Sequence, residues 1–400
     1  MKYISRKLYS EHIIPYMNKP IIKVLTGQRR VGKSYVMYEL MEKLKEINPK
    51  GRIIYINKEL EEFADILDHK DLTYYLEGQL EQKSMNYIFI DEIQEIKDFQ
   101  KSIRSFLLNP TCDIYITGSN AQILSGELAS QLSGRYVAFE IHSLGFDEFL
   151  NFHGLEENFE SVILYLKYGG MPFLHHLGLT EDIPFEYLKN VYATILLKDV
   201  VARENIRNVP FLENLVTFLC DNVGSLLSAT NIHKYLKSQK INLSVPIIVN
   251  YLKALTNSYI IYKVVRSEIG GLKIFEIGEK YYFEDLGIRN TILGYNQKRD
   301  LHKLLENAVY MHLRRMGWQI FVGRLEDKEI DFVGDRKGEK IYIQVALTIS
   351  DKSTEEREFG NLAKILDNYP KYVITLNDPL AGGNYQGIKH LNLLDFYREL

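Results

Sequence analysis

Cysteine is scarce: Cys112 and Cys220 are the only two in 400 residues, far apart and without metal-ligand spacing. That pattern excludes a disulfide-stapled scaffold and a cysteine zinc site, and it fits reduced, structural thiols in a cytosol. Apolar runs long enough to span a bilayer are missing too, so no transmembrane helix or membrane partner is expected. The opening Met1-Lys2-Tyr3-Ile4-Ser5-Arg6 leads into mixed polar sequence, not into the apolar core of a signal peptide. Neither sign of charge dominates. A net charge of −3 argues against a globally basic coat for nucleic acid while leaving room for a local patch. With 46% hydrophobic and 25% charged residues the chain reads as soluble and globular. Its length exceeds what one core serves, so two or three domains are expected.

The most informative stretch is Gly27-Gln28-Arg29-Arg30-Val31-Gly32-Lys33-Ser34, which fits G-x-x-x-x-G-K-[ST] at every defined position. An apolar strand, Ile21-Ile22-Lys23-Val24-Leu25, precedes it and a helical pattern, Tyr35 to Met41, follows. Glycines let such a loop bend until backbone N–H groups converge on phosphates at a helix N-terminus. Lys33 supplies a point charge for the β- and γ-phosphates, and the Ser34 hydroxyl can ligate Mg²⁺. The loop residues Gly27 to Ser34, with Tyr35 directly after them, are therefore the candidate contacts for a nucleoside triphosphate.

Hydrolysis also needs a carboxylate for the metal and a group that positions water. The run Tyr87-Ile88-Phe89-Ile90 reads as a strand buried in a parallel sheet, and Asp91-Glu92 stand at its carboxyl end, where open α/β sheets bind ligands. Asp91 is the candidate metal ligand and Glu92, pointing the other way, the candidate general base. A third strand, Asp113 to Thr117, ends in Gly118-Ser119-Asn120. This end resembles the sensor-1 position of AAA-type ATPases, which makes Asn120 the first choice and Ser119 the second for a contact to the γ-phosphate or the lytic water. A polar strand-to-helix cap is the alternative reading of the same residues. Arg135, in Leu132-Ser133-Gly134-Arg135-Tyr136, is a candidate arginine finger for its own nucleotide or for a neighbour's in an oligomer, with a surface arginine as the alternative.

Taken together these motifs resemble bacterial and archaeal P-loop ATPases that couple an AAA-type module to a C-terminal domain of PD-(D/E)XK nuclease-like fold. Further matching segments are Leu144-Gly145-Phe146-Asp147-Glu148-Phe149, Tyr168-Gly169-Gly170-Met171-Pro172, Leu197-Lys198-Asp199-Val200, Lys280-Tyr281-Tyr282-Phe283-Glu284-Asp285-Leu286-Gly287 and Glu306-Asn307. The resemblance implies ATP as the nucleotide, and no N-K-x-D motif for guanine is present. It also implies that Gly170-Met171-Pro172 packs near the base, so that Pro172 joins the candidate contacts. A helix-breaking turn explains the same segment.

From Phe211 to Phe275 the pattern turns to short helices followed by a hairpin, the order of a winged helix. Leu226 to Leu236 reads as a capped amphipathic helix, and Ser244 to Leu255 as a second, with Ser244 as N-cap and Pro246 in its first turn. Tyr259 to Val265 and Lys273 to Phe275 flank the hairpin signal Gly270-Gly271. Residues 221–275 hold Lys234, Lys237, Lys240, Lys253, Lys263, Arg266 and Lys273 against Asp221 and Glu268, a local net charge of +5. Such a patch could contact DNA phosphates, or the module could serve as a lid or protein-interaction surface.

The segment from about residue 300 reads as an αβββαβ unit similar to PD-(D/E)XK nucleases. Asp331 matches the hairpin acid and Glu306 the helical acid, but the Glu-x-Lys triplet reads Gln344-Val345-Ala346. An amide in place of a carboxylate and a methyl in place of an ammonium argue against nuclease activity. His175-His176 reads as structural, because adjacent helical positions point apart. The expected architecture is α/β: an AAA-type parallel sheet with a helical subdomain over 1–205, a winged helix over 206–295 and a degenerate nuclease-like domain over 296–400. The expected function is an Mg²⁺- and ATP-dependent cytoplasmic ATPase recruited to DNA through residues 221–275 and 296–400. A slow ATP/ADP switch holding a protein partner is the alternative.

Overall fold

The computed structural model of the protein describes residues 4–124, 132–180, 182–238, 241, 243–269, 274–349 and 351–400. Gly270, Gly271, Lys240 and Lys273 therefore lie outside the described residues. The chain divides into two compact units, one of Met1–His142 with Asn257–Tyr259, the other of Ser143–Thr256 with Ile260–Leu400.

The first unit is built on five parallel strands, β1 (Ile22–Thr26), β2 (Arg52–Asn57), β3 (Asn86–Asp91), β4 (Cys112–Gly118) and β5 (Tyr136–Glu140), in the order β2-β3-β4-β1-β5. Its helices are α1 (Lys7–Ile13), α2 (Lys33–Ile47), α3 (His69–Gln79) and α4 (Phe99–Leu107). Side chains alternate along a strand, so Ile22, Val24, Ile88, Ile90, Ile114 and Ile116 share one buried face. The opposite face carries Phe89 stacked on Tyr115 at 4.4 Å and the fully buried pair Lys23–Asp113. On α2, Val36, Met37, Leu40, Met41 and Leu44 form one buried stripe. Each such side chain contributes about 1.5–3 kcal/mol of burial free energy.

This strand order sets up the site. In a parallel sheet all carboxyl ends lie at one edge, and β4 lies between β1 and β3. The segments following those three strands are thus neighbours, although their sequences are far apart.

The second unit opens with helices α5 (Phe146–His153), α6 (Phe159–Tyr168) and α7 (Ile183–Thr194), the last running on into a π-helical segment over Ile195–Ala202. Three further helices, α8 (Val209–Asp221), α9 (Ala229–Ser238) and α10 (Val245–Asn257), precede the antiparallel strands β6 (Ile261–Glu268) and β7 (Ile274–Phe283). Then come α11 (Leu286–Leu293), α12 (Gln297–Arg315), β8 (Gln319–Leu325), β9 (Lys328–Arg336), β10 (Glu339–Ala346), α13 (Lys352–Ala363), β11 (Lys371–Thr375), β12 (Asn384–Tyr385), β13 (Ile388–Asn392) and α14 (Leu393–Glu399).

The helix–helix–hairpin order expected over 226–275 forms, but the hairpin does not stand alone. β6 pairs in parallel with β8, which makes one eight-stranded sheet in the order β12-β13-β11-β10-β9-β8-β6-β7. The order α, β, β, β, α, β expected after residue 300 is met by α12, β8, β9, β10, α13 and β11. Lys337 and Gly338, both at positive φ, make the tight turn joining β9 to β10.

Candidate functional site

β1 delivers the chain to Gly27, whose φ of +140° no ordinary residue adopts; a Cβ there would meet the Ile141 carbonyl oxygen at 2.1 Å. Arg30 and Gly32, at φ of +73° and +97°, turn the loop into the first turn of α2. Arg6 clamps it from the N-terminal segment, donating through Nη1 to the carbonyls of Val31 at 2.7 Å and His142 at 2.9 Å. Gln28 is buried and its Nε2 donates to the Tyr259 carbonyl. Lys33 reaches back over the loop, donating to the carbonyls of Gly27 at 3.1 Å and Gln28 at 3.0 Å, with Glu92 Oε1 3.7 Å away.

Asp91 ends β3 with its carboxylate buried against the hydroxyls of Thr117 and Ser34. Burial pushes this carboxyl above the ordinary aspartate range, against both hydroxyls and the Lys33 charge. Ser34 and Asp91 thus bring two side-chain oxygens together, a donor set that suits a hard divalent cation. Glu92 adopts a left-handed backbone at φ +56°, uncommon for a side-chain-bearing residue, and its N–H donates to Thr117 Oγ1 at 2.9 Å. Its carboxylate accepts from Ser119 Oγ at 2.9 Å and from the Gln94 amide. Burial alone would raise the Glu92 carboxyl, but Lys33 and Arg29, together with these donors, hold it below the ordinary glutamate range.

Asn120 uses its two ends differently. Oδ1 accepts from Gln122 N–H at 2.7 Å and so caps the turn that follows β4, whereas the buried Nδ2 finds no partner among the described residues. Ser119 is turned to Glu92. Arg29 pairs with Glu59 at 2.9 Å and lies 3.8 Å from Glu92. Arg30 is exposed. Tyr35 is 46% exposed and packs edge-on to Tyr38, whose hydroxyl lies 3.2 Å from that of Tyr55; Tyr55 in turn donates to Asp91 at 3.3 Å.

One candidate is not gathered here. Arg135 is exposed and directly precedes β5, whose Tyr136 is in register with Ile22 at the start of β1. The loop follows Thr26 at the other end of β1, about 16 Å along the strand. That separation places Arg135 away from the loop of its own chain. Pro172 belongs to the second unit, where it opens a 3-10 turn and its carbonyl accepts from His175 Nδ1.

Sequence reading missed Arg6, Tyr55 and Glu59, which carry no motif signal. Thr117 ends a strand read from the sequence and Gln94 follows the Asp91-Glu92 pair by two residues, and only the folded structure gives either a role.

Residues 19–150 match the AAA domain family, and residues 159–299 match a domain of unknown function (DUF8612). The five-stranded parallel sheet with its helices is accordingly a P-loop AAA-type α/β fold. An uncharacterized protein of Haemophilus influenzae is 34% identical over 378 residues, 93% of each chain. One from Methanocaldococcus jannaschii is 30% identical over 89% of this chain and 82% of its own. The chain belongs to the family of these relatives, which share its AAA-type module and the sequence beyond it. Among solved structures, Aeropyrum pernix ORC1 in complex with DNA overlaps at a TM-score of 0.34 (11% identity, 73% of this chain, 93% of that one). AMPPCP-bound DnaA from Aquifex aeolicus overlaps at 0.31 (16% identity, 62% of this chain, 85% of that one). Overlaps this loose carry no argument about function. Among the described residues no helix is long and apolar enough to cross a membrane.

Proposed function

We propose that the chain is an Mg²⁺-dependent ATPase of the cytoplasm. The observation that supports it best is the approach of Lys33, Asp91 and Glu92 at the carboxyl ends of neighbouring strands, with Asn120, whose Nδ2 has no partner among the described residues, following the strand between them. Lys33 and the loop N–H groups hold the phosphates, and Ser34 and Asp91 hold the metal, which supplies charge neutralisation for phosphoryl transfer. Glu92, kept ionised by Lys33 and Arg29, accepts a proton from water. Asn120 Nδ2 donates to the γ-phosphate or to that water. Arg135, at the far end of β1, acts on a neighbouring copy's nucleotide.

The DNA-directed form of this reading draws on Lys234, Lys237, Lys253 and Lys263, all exposed around α9, α10 and β6. A winged-helix role for that segment and a degenerate nuclease-like role for β8 to β11 belong to the same proposal. A specific observation also favours the slow-switch reading. The Glu92 carboxylate is engaged by Ser119 and Gln94, so water activation requires those bonds to be exchanged.

Steady-state ATP turnover of the wild type and Glu92→Gln, each with and without duplex and single-stranded DNA, tests both readings. Turnover that DNA stimulates and Glu92→Gln lowers by about 10²–10⁴-fold supports the DNA-directed ATPase. Slow turnover indifferent to DNA supports the switch, and no ATP binding at all sinks the proposal.

A further inference from the structure

The second unit contains a buried charge cluster that the nucleotide chemistry does not use. Lys280, on β7, is 2% exposed. Its Nζ lies 2.9 Å from Glu306 Oε1, 3.0 Å from Asp331 Oδ1 and 2.9 Å from Glu329 Oε1. The ammonium donates to Glu306 and Asp331 and forms an ion pair with Glu329, so three carboxylates share this one cation. Tyr282, two residues along the same face of β7, donates to Glu306 Oε1 at 2.6 Å. Asp331 is held from the other side by Val345 N–H at 3.0 Å, while its own N–H donates to Gln344 Oε1 at 2.7 Å. Gln344 Nε2 completes the chain by donating to Glu358 at 3.2 Å. Gly224 closes another approach: a Cβ there would meet Glu306 Oε2 at 2.5 Å.

Glu306 and Asp331 are the acids that a nuclease-like sheet would offer to a divalent cation. The residues present do not fit one. The space between the carboxylates already holds a positive charge at hydrogen-bond distance from three of them, and the remaining acid position is the amide of Gln344. Among the described residues no group of three or more His, Cys, Asp or Glu is placed to hold a metal ion. Removing the ammonium would leave three carboxylates facing one another, an arrangement relieved by another cation or by taking up a proton. Burial opposes the charge, yet Tyr282, Glu306, Asp331 and Glu329 hold Lys280 well above the ordinary lysine range.

We propose that Lys280 is the resident cation of this centre, standing where a divalent metal would have to bind between Glu306, Glu329 and Asp331. The C-terminal sheet then carries a metal-free, hydrolytically silent centre. The inference rests on the nuclease-like reading of that sheet and is independent of ATP turnover.

The full chain without nucleotide, as wild type, Lys280→Ala and Lys280→Ala/Asp331→Asn, is titrated with Mn²⁺ while bound metal is counted by electron paramagnetic resonance and the thermal midpoint is followed. Lys280→Ala is expected to bind Mn²⁺ at least about tenfold more tightly than wild type, and to recover part of its lost midpoint on binding. The added Asp331→Asn should abolish both effects. If Lys280→Ala does not fold, Lys280→Gln takes its place. Mn²⁺ bound by the wild type and lost on Asp331→Asn overturns the proposal, as does a folded variant at position 280 that takes up no Mn²⁺. The nuclease-like reading is tested apart, by restoring Gln344→Glu and Ala346→Lys in Lys280→Ala and assaying Mn²⁺-dependent DNA nicking. Mn²⁺ uptake by Lys280→Ala without nicking by the restored chain keeps Lys280 as the cation and counts against the nuclease ancestry.

Discussion

The Gln28 side-chain amide donates to the Tyr259 carbonyl at 3.0 Å, a bond across 231 positions that ties the phosphate loop to the residue between α10 and β6. Tyr259 is held at φ +57°, so the bond anchors a backbone that has little freedom to relax. Gln28→Ala should lower stability by about 0.5–1.5 kcal/mol, read as a reduced urea midpoint, and should weaken ATP binding by loosening the loop. An unchanged midpoint would mean that the bond contributes nothing.

Thr117 is the hinge of the acid pair, because one hydroxyl donates to Asp91 and accepts the Glu92 N–H. Thr117→Val keeps the shape and removes both bonds. ATP turnover should fall by about 10²-fold, since a small misplacement of catalytic groups is enough for that loss, with far less change in nucleotide affinity. Wild-type turnover in this variant would rule out the positioning role.

Lys23 and Asp113 form a buried pair inside the first sheet, and Asp113 also accepts from Asn18 N–H at 2.9 Å and the Tyr115 hydroxyl at 2.8 Å. Burial lowers the Lys23 ammonium, with Asp113 opposing. Lys23→Met strands a buried carboxylate and should cost about 3–5 kcal/mol, whereas adding Asp113→Leu should recover much of it. Chemical denaturation of the three variants checks this; a double variant no better than the single would show that the other Asp113 bonds dominate.

His312 lies buried against Phe396 and Tyr397, and burial pulls its imidazole down to about 3. A depressed folded value means that the unfolded chain takes up the proton first. The contribution is therefore complete above the ordinary histidine value of 6.5 and lost as pH falls from there toward 3. His312→Leu should flatten the acid limb of the stability–pH curve by up to about 1.4 kcal/mol per pH unit in that window.

Asp285 works with the opposite sign. It caps α11 through Ile288 N–H at 2.9 Å and accepts from Gly170 N–H at 2.7 Å, while burial pushes its carboxyl up to about 6. The folded state binds this proton more tightly, so its contribution is full below the ordinary aspartate value of 3.8 and lost as pH rises from there to about 6. Asp285→Asn keeps one of the two acceptor oxygens, so it should lower stability at every pH while removing that decline. Because the two groups oppose each other over about pH 4–6, the check is each variant's difference from wild type, not the wild-type curve alone.

Much of this was legible because local chemistry carried it. The Gly27–Ser34 loop needs no tertiary context to be recognised: glycine freedom, a lysine and a hydroxyl in fixed spacing already imply the cradle. The apolar run before Asp91-Glu92 predicted a buried strand, and Ser244 with Pro246 predicted a helix that begins at Val245. The segment Lys280 to Gly287 was noticed as a motif with no chemistry attached. Folded, Lys280 meets three acids, Tyr282 bonds Glu306, Glu284 accepts from Ser143 N–H and the Tyr262 hydroxyl, and Asp285 caps a helix.

What the sequence by itself determined is the set of groups able to bind phosphate and metal, since that chemistry lies in short spacings that local backbone geometry reads. Only the tertiary structure decided which distant residues share a site. Strand order placed Thr117 between Asp91 and Glu92 and left Arg135 at the far end of β1. It also joined the β6–β7 hairpin to the later strands and seated the Lys280 ammonium among carboxylates from α12 and β9. The physical reason is that sheet register and long-range burial depend on pairings between strands distant in the sequence, such as Ile22 with Tyr136 and Arg266 with Val322, which no local pattern encodes.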